Sequence, residues 1–231
     1  MILAAGRGKR LRPLTDSVPK PLLKVKGQSL IEYHIAALVD AGIHQLVINH
    51  AWLGEQIVNQ LGNGEALGAD IQYSAEAEPG LETAGGILQA LPKLTDGESP
   101  FIVVNGDVLT DFDFKQLKSV SLEEGCLAHL VLVPTPSYKA QGDFGLQAGK
   151  VMPHGELTFS GISVLHPDLF KGLLPGASPL APLLRAAMKK GQVSGVCFDG
   201  AWDDIGTPER LALANASMAQ SCANLKKESK L

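Results

Sequence analysis

Cysteine is scarce in this sequence, and long apolar runs are missing. The only cysteines among the 231 residues, Cys126, Cys197 and Cys222, are widely spaced and form no CxxC pair. This pattern argues against a disulfide framework and a zinc site, and it favours a reducing compartment. No apolar run approaches the roughly 20 residues that span a bilayer, and the first residues lack a basic leader. We therefore expect a cytoplasmic chain with no membrane partner.

The net charge is small but unevenly distributed. The formal charge of −4 argues against non-specific binding of nucleic acid. Residues 1–26 nonetheless contain seven basic residues and one acid, so this segment carries +6 and the remaining 205 residues carry −10. The basic residues are interleaved with glycine, proline and apolar residues, which indicates an ordered anion-binding loop rather than a solvated charged face.

Strands and helices alternate through the first half of the sequence. Short apolar runs predict strands at 2–5, 46–49, 71–74 and 101–105, and helical patterns predict helices at 29–41, 53–61 and 83–91, the last ended by Pro92. Ser29 and Glu32 form a capping box at the start of the first helix. This order implies βαβ units and a mostly parallel sheet covered on both faces.

The pattern changes after about residue 126. We expect strands at 127–133, 159–165, 193–198 and 202–205, a helix at 180–190, and hairpins in the Gly- and Pro-rich stretch between the first two strands. Thr207 and Pro208 open a final helix that runs to about residue 219. No repeat or linker interrupts the chain. The sequence predicts one domain over residues 1–221, with a Rossmann-like three-layer α/β/α fold and a mixed, mostly parallel sheet, followed by a frayed tail at 222–231.

A glycine-rich loop follows the first predicted strand. Its small residues Ala4, Ala5, Gly6 and Gly8 let backbone N–H groups approach a phosphate or a base closely. Two common phosphate loops are excluded. A Rossmann fingerprint needs a third glycine where the sequence has leucine, and a Walker A loop needs Ser or Thr after its Gly-Lys, where the sequence has arginine.

Three charged residues complete the candidate site. Lys20 stands between two prolines, which we expect to hold it in an extended, stiff segment. Asp107 follows the strand at 101–105, and Asp204 lies near the end of another predicted strand. Because Mg²⁺ is usually bound by only one or two protein carboxylates, two aspartates at separate strand ends fit a magnesium site. A turn aspartate and a residue leading into a helix are the alternative interpretations.

The segment from Leu3 to Tyr33 carries the signature LAAGxGxRLxPLT, followed by PKPL and IEY. This signature resembles that of the sugar-phosphate nucleotidyltransferase family. The resemblance implies the fold of that family and an enzyme that joins a sugar 1-phosphate to a nucleoside triphosphate with release of pyrophosphate. It further implies that Asp107 and Asp204 bind Mg²⁺, and that Arg10 and Lys20 are the catalytic cations.

The same resemblance assigns further binding residues. It implies that the nucleotide contacts Leu3, Ala4, Ala5, Gly6, Gly8, Lys9, Arg10, Lys20, Glu78, Gly85 and Asn105. It implies that the sugar phosphate contacts Asp143, Gly145, Ser160 and Gly161, for which a hairpin turn and a close-packed strand glycine are the alternatives. No general base is required, because an oxygen of the sugar phosphate is already anionic near neutral pH.

Three more segments, 48–54, 104–107 and 159–167, resemble the branch of the family that uses UTP and N-acetylmuramate 1-phosphate in peptidoglycan recycling. We take this branch as the specific expectation. The alternatives are another sugar 1-phosphate of the glucose, GlcNAc or mannose type, choline phosphate with CTP, and a non-catalytic sensor of nucleotide sugars. The sequence does not define the oligomeric state, and a monomer is compatible with it.

Overall fold

The computed structural model describes residues 1–118, 120 and 122–216. The predicted tail at 222–231, Cys222 and the expected end of the last helix near residue 219 lie outside these ranges. Within them, no helix has the length and apolar character needed to cross a bilayer.

The elements alternate as predicted through the first half of the chain. The strands are β1 (Ile2–Leu3), β2 (Lys24–Val25), β3 (Gln28–Ser29), β4 (Gln45–His50), β5 (Asp70–Ala75), β6 (Phe101–Asn105), β7 (Val108–Thr110), β8 (Ala128–Pro134), β9 (Phe144–Gln147), β10 (Lys150–Leu165), β11 (Val193–Cys197) and β12 (Trp202–Asp204). The helices are α1 (Leu14–Ser17), α2 (Leu30–Asp40), α3 (Gly54–Leu61), α4 (Glu82–Leu94), α5 (Lys115–Lys118), α6 (Leu180–Met188) and α7, which covers 208–216.

The main sheet has the order β11-β8-β10-β6-β1-β4-β5, and β9 pairs with β10. Strands β6, β1, β4 and β5 run parallel to one another. Strand β10 lies antiparallel to both β6 and β8. The predicted mixed sheet is thus confirmed, and the carboxyl ends of its parallel strands form one edge, where open α/β folds bind ligands.

Both faces of this sheet are covered. On β6, Val103 packs into the cluster beneath α4 and α6, whereas its neighbour Val104 packs into the cluster beneath α2 and α3. Successive side chains of a strand point to opposite faces, so a strand buried on both sides has a continuously apolar sequence. The three-layer architecture predicted from these runs is confirmed.

The capping box of α2 forms as predicted. The Glu32 carboxylate accepts hydrogen bonds from the backbone N–H of Ser29 at 2.8 Å and from its hydroxyl at 2.6 Å. The Ser29 N–H belongs to the β2–β3 hairpin, which was not predicted. The cap therefore joins the start of α2 to the β2–β3 hairpin.

The predicted end of α4 is wrong. The helix continues through Pro92 to Leu94. A proline removes one backbone donor and crowds the carbonyl four residues earlier, but in the last turn of a helix this affects a single hydrogen bond. The helix ends instead at Thr95, which has extended backbone dihedrals and donates its N–H to the Leu91 carbonyl.

His34 on α2 generates a prediction about pH. Burial lowers the pKa of its imidazole to about 4, opposed by the charge of Asp107 and a hydrogen bond to the Val108 backbone. In the unfolded chain a histidine titrates near 6.5. As the pH falls, the unfolded state therefore takes up a proton first. Protonation of His34 should therefore lower the free energy of unfolding by about 3 kcal/mol as the pH falls from 6.5 to about 4.

Urea unfolding of the wild type and of His34→Gln between pH 4 and pH 7 checks this expectation. The free energy of unfolding should depend on pH less steeply in the variant. The matched control is His154→Gln, which alters an exposed histidine and should leave the wild-type slope unchanged. An equal slope in wild type and His34→Gln would contradict the assignment.

Candidate active site

Lys20 lies at the centre of the candidate site and is almost completely buried, with 8% of its surface exposed. Its ammonium donates a hydrogen bond to Asp107 Oδ2 at 2.5 Å, and Asp204 Oδ1 lies 3.9 Å from Nζ. A charge is buried at tolerable cost only when it is paired. The two carboxylates therefore explain how this lysine can be buried, and the structure brings the three residues together.

The backbone around Lys20 differs from the prediction. Pro19 is extended, but Lys20–Leu22 form a 3₁₀ turn. The N–H groups of Leu22 and Leu23 donate to the carbonyls of Pro19 and Lys20 at 2.9 and 3.1 Å. A following proline only biases a residue towards extended conformations, and these two hydrogen bonds outweigh that bias. The turn directs the lysine inwards, towards the carboxylates.

The two aspartates converge through a small two-stranded ribbon. Asp107 lies in the turn between β6 and β7, and β7 pairs antiparallel with β12 so that Asp204 is opposite Val108. The N–H of Ile205 donates to the Asp107 carbonyl at 2.9 Å. Residues almost 100 positions apart thus become neighbours through pairing that the sequence pattern did not predict.

The carboxylates fit a hard divalent cation. Asp204 Oδ1 is buried and accepts no hydrogen bond from any described residue, while Oδ2 accepts one from Arg210 Nη1 at 3.1 Å. A carboxylate oxygen without a donor is a suitable ligand for such a cation. Among residues 1–118, 120 and 122–216, no cluster of three or more His, Cys, Asp or Glu side chains could hold a metal. An ion here would depend on Asp107, Asp204 and oxygens from outside the protein.

Asp203 competes with Asp204 for this role. Its Oδ1 is also buried without a hydrogen-bond partner among the described residues, and burial raises the pKa of its carboxyl. Asp204, however, lines the same cavity as Asp107, and Asp203 does not. The geometry therefore favours Asp204.

Two arginines flank the aspartates. The exposed Arg10 brings Nη2 within 3.0 Å of where a Cβ on residue 206 would stand, so Gly206 leaves room for it beside Asp204. Arg210, which was not predicted, bonds Asp204 and stacks its guanidinium over the Tyr138 ring at 4.3 Å. The sequence offered little indication of Arg210, because α7 approaches the site only in the folded chain.

The first cavity, of about 490 Å³, lies on the glycine-loop side of Lys20. Of the predicted nucleotide contacts, it is lined by Leu3, Ala4, Ala5, Gly6, Lys20 and Asn105. Arg10 lines the second cavity instead, and Gly8, Lys9, Glu78 and Gly85 line neither.

Two of these glycines serve the packing of the loops. Gly8 has φ of +65°, and a Cβ there would lie 2.9 Å from Thr15 Cγ2, so it shapes the turn. Gly85 donates its N–H to the Ser178 carbonyl at 3.1 Å, and a Cβ would overlap Gly176 O. The Gly85 N–H therefore already has an acceptor, and a contact between Gly85 and the nucleotide stays a prediction.

A buried network that sequence reasoning missed holds the first cavity together. Asn49 accepts a hydrogen bond from the Ala4 N–H at 2.8 Å and donates one to Glu76 Oε1 at 2.6 Å. Glu76 Oε2 accepts the Leu81 N–H at 2.8 Å. A Cβ on Gly86 would overlap Oε1. Glu76 follows β5 directly, and this position at the carboxyl edge of the sheet could have identified it as a candidate site residue.

The second cavity, of about 680 Å³, lies beyond Asp107 and Asp204. Of the predicted sugar-phosphate contacts, Asp143 and Ser160 line it, and Gly145 and Gly161 do not. Asp143 is ion-paired with Lys139 at 2.5 Å and accepts the Phe159 N–H at 3.0 Å.

Ser160 and Gly161 shape the boundary between the cavities. The Ser160 hydroxyl donates to the Val131 carbonyl at 2.7 Å, so it is already engaged. Gly161 has φ of +83° at the irregularity between β10 and β8, and a Cβ there would lie 2.8 Å from Asn105 atoms. The glycine therefore makes room for Asn105, which lines both cavities.

Comparison with known proteins identifies the family. A family model described as Nucleotidyl transferase matches residues 1–147. An N-acetylmuramate alpha-1-phosphate uridylyltransferase from Neisseria meningitidis is 51% identical over 224 residues, which cover 94% of this chain and 96% of the relative. The chain belongs to the nucleotidyl transferase family. This transferase is accordingly a sugar-phosphate nucleotidyltransferase, as its glycine-loop signature predicted.

Two further comparisons agree. The Caulobacter vibrioides protein of the same name is 30% identical over 239 residues, covering 96% of the transferase and 97% of the relative. A solved structure from Bacillus anthracis, provisionally named a glucose-1-phosphate thymidylyltransferase, superposes with a TM-score of 0.82 at 23% identity. The match covers 93% of the transferase and 92% of that chain, and it supports the fold alone.

The pair Glu76 and Glu78 gives a direct test of the nucleotide side. In Glu76→Gln, the NH₂ of the new side chain would face either the Asn49 NH₂ or the Leu81 N–H, both of which are hydrogen-bond donors. We expect the loss of one buried hydrogen bond, worth about 1–3 kcal/mol of stability, and a rise in KM for the nucleoside triphosphate on the order of 10-fold. Steady-state kinetics and thermal melts measure both effects.

Glu78→Gln is the matched control, because Glu78 is exposed and lines neither cavity. Its KM and melting temperature should stay close to the wild-type values. If Glu78→Gln raised KM as much as Glu76→Gln does, the original assignment of Glu78 as a nucleotide contact would be right.

Proposed function

We propose that this transferase moves the uridylyl group of UTP to N-acetylmuramate 1-phosphate, giving UDP-N-acetylmuramate and pyrophosphate. The observation that carries the proposal is the 51% identity to the Neisseria enzyme across almost the full length of both chains. Two cavities that meet at Asn105 and Asp107 match a reaction between two separate phosphorylated substrates.

The first cavity suits the nucleotide. Its floor is the glycine loop, whose small residues leave backbone groups accessible to phosphates. The second cavity suits the sugar phosphate, because its cations Arg10, Lys139 and Arg210 line a wider space. Since UTP is made and held in the cytoplasm, we propose that the enzyme acts there, in peptidoglycan recycling.

Charge neutralisation is the main task of the side chains. The attacking oxygen belongs to an anion near neutral pH, so no proton has to be removed first. Among the described residues, no histidine lines either cavity. Lys20 lines the first cavity and Arg10 the second. They would hold the phosphate oxygens of the two substrates, offsetting their repulsion and the charge that develops on pyrophosphate.

Asp107 and Asp204 would hold Mg²⁺, which when bound supplies positive charge to the phosphate oxygens. Asp204 Oδ1 accepts no hydrogen bond from any described residue, which supports this assignment. Asp107 would also keep Lys20 oriented through its hydrogen bond, and Arg210 would fix the rotamer of Asp204.

A substrate panel tests the activity. Pyrophosphate release should be measured with each of four nucleoside triphosphates against the 1-phosphates of N-acetylmuramate, GlcNAc, glucose and mannose, and with CTP and choline phosphate. We expect the highest kcat/KM for UTP with N-acetylmuramate 1-phosphate. A clear preference for another pair would assign the enzyme to a different substrate, and no release with any pair would favour a sensor.

The adjacent aspartates test the metal site. We expect Asp204→Asn to lower kcat by about 10²–10³-fold and to weaken the binding of Mg²⁺ or Mn²⁺ in calorimetric titrations. Asp203→Asn is the matched control and should stay within several-fold of the wild type, since Asp203 does not line the second cavity. Chelation of divalent ions should abolish turnover in both. The reverse ranking of the two variants would transfer the ligand role to Asp203.

A further inference from the structure

The proposed sugar substrate carries a group that the common hexosamine phosphates lack. N-acetylmuramate has a lactyl ether on its ring, and the lactyl carboxylate is ionised at neutral pH. An enzyme that prefers it to GlcNAc needs a cation whose charge is not already balanced by the protein. The identity of that cation is inferred here on the basis of the proposed function.

Most cations near the second cavity already have partners. Lys139 is paired with Asp143 at 2.5 Å, and Arg210 with Asp204 at 3.1 Å. Arg10 lies beside the aspartates, where the phosphates would bind. None of these three cations lines the side pocket beside α6.

Arg185 is different. It projects from α6 into a side pocket of about 300 Å³, which shares Asn105, Asp143 and Phe159 with the second cavity. Among the described residues, no carboxylate lies within ion-pairing distance of its guanidinium. A half-buried arginine without a counter-ion, facing a cavity, is a candidate binding group for an anion.

The side chain is held in place without using its terminal nitrogens. Nε donates to the Pro153 carbonyl at 3.4 Å, and the guanidinium carbon lies 5.2 Å from the Phe144 ring centroid. Within the part of the chain that the structure describes, Nη1 and Nη2 donate no hydrogen bond. These two groups form the side of the guanidinium that can bind a carboxylate through two parallel hydrogen bonds.

The surroundings of Arg185 strengthen such a contact. The side pocket is walled largely by apolar residues, namely Phe144, Phe159, Pro179, Leu180, Ala181 and Leu184. Apolar surroundings increase the strength of a charge-assisted hydrogen bond. The pocket joins the second cavity at Asn105, Asp143 and Phe159, and neither Lys20 nor Asp204 lines it. A sugar in the second cavity could therefore place its phosphate at one end and its acidic substituent at the other.

We propose that Arg185 binds the carboxylate of the lactyl group and so makes the transferase selective for sugar 1-phosphates that carry an acidic substituent. Arg185 is a specificity residue, remote from the phosphates that react. Its removal should change recognition of one substrate class and leave the chemistry intact.

Kinetics of Arg185→Gln and Arg185→Lys on two substrates test the proposal. With UTP and N-acetylmuramate 1-phosphate, Arg185→Gln should lower kcat/KM by about 10- to 100-fold, mainly through KM, as expected for a lost charge-assisted contact. Arg185→Lys should recover part of this loss because it keeps the charge. With GlcNAc 1-phosphate, which has no carboxylate, both variants should remain within about twofold of the wild type.

Lys190→Gln, which alters an exposed cation just beyond α6, is the control and should match the wild type on both substrates. Equal losses on the two substrates, with a lowered melting temperature, would make Arg185 a structural residue and overturn the proposal. Unchanged kinetics on N-acetylmuramate 1-phosphate would also overturn it. A wild-type enzyme that fails to use N-acetylmuramate 1-phosphate would instead reject the proposed function itself, so the wild-type measurement distinguishes the two failures.

Discussion

The burial of one ammonium group, that of Lys20, constrains the rest of this site. A buried cation without nearby negative charge would destabilise the fold by several kcal/mol. Asp107 at 2.5 Å and Asp204 at 3.9 Å provide that charge. Because the three residues come from the 3₁₀ turn before β2, the turn after β6 and the end of β12, the positions of these segments depend on one another. Lys20 lines the first cavity, and its partner Asp107 lines both cavities.

This arrangement suits a reaction between two anionic substrates. Under the proposed function each cavity binds one substrate, and each is lined by cations that would offset the negative charge of the phosphates. The glycine at 161 has a structural reason to be there, because any side chain would displace Asn105 from the junction. On the side of the first cavity, hydrogen bonds through Asn49 and Glu76 link the glycine loop to the loop before α4.

Where the sequence prediction failed, tertiary contacts explain the failure. The sequence predicted a nucleotide contact for Glu78, but in the fold Glu76 is buried and Glu78 is exposed, so the contact of Glu78 stays a prediction. Gly85 was expected to contact the nucleotide, and the segment at 176–178 packs against it and accepts its N–H, so this contact stays a prediction. Pro92 was expected to end α4, but near a helix end its cost is small.

The sequence alone determined the alternation of strands and helices, the glycine loop, and the identities of Lys20, Asp107 and Asp204. These features depend on local patterns, namely apolar periodicity, capping residues and a contiguous signature, which can be read without knowing the fold. Only the tertiary structure decided that β7 pairs with β12, that Arg210 joins the site, and that Arg185 faces a pocket without a counter-ion among the described residues. Such contacts join residues far apart in the chain, and their energies depend on burial and distance, which no local pattern specifies.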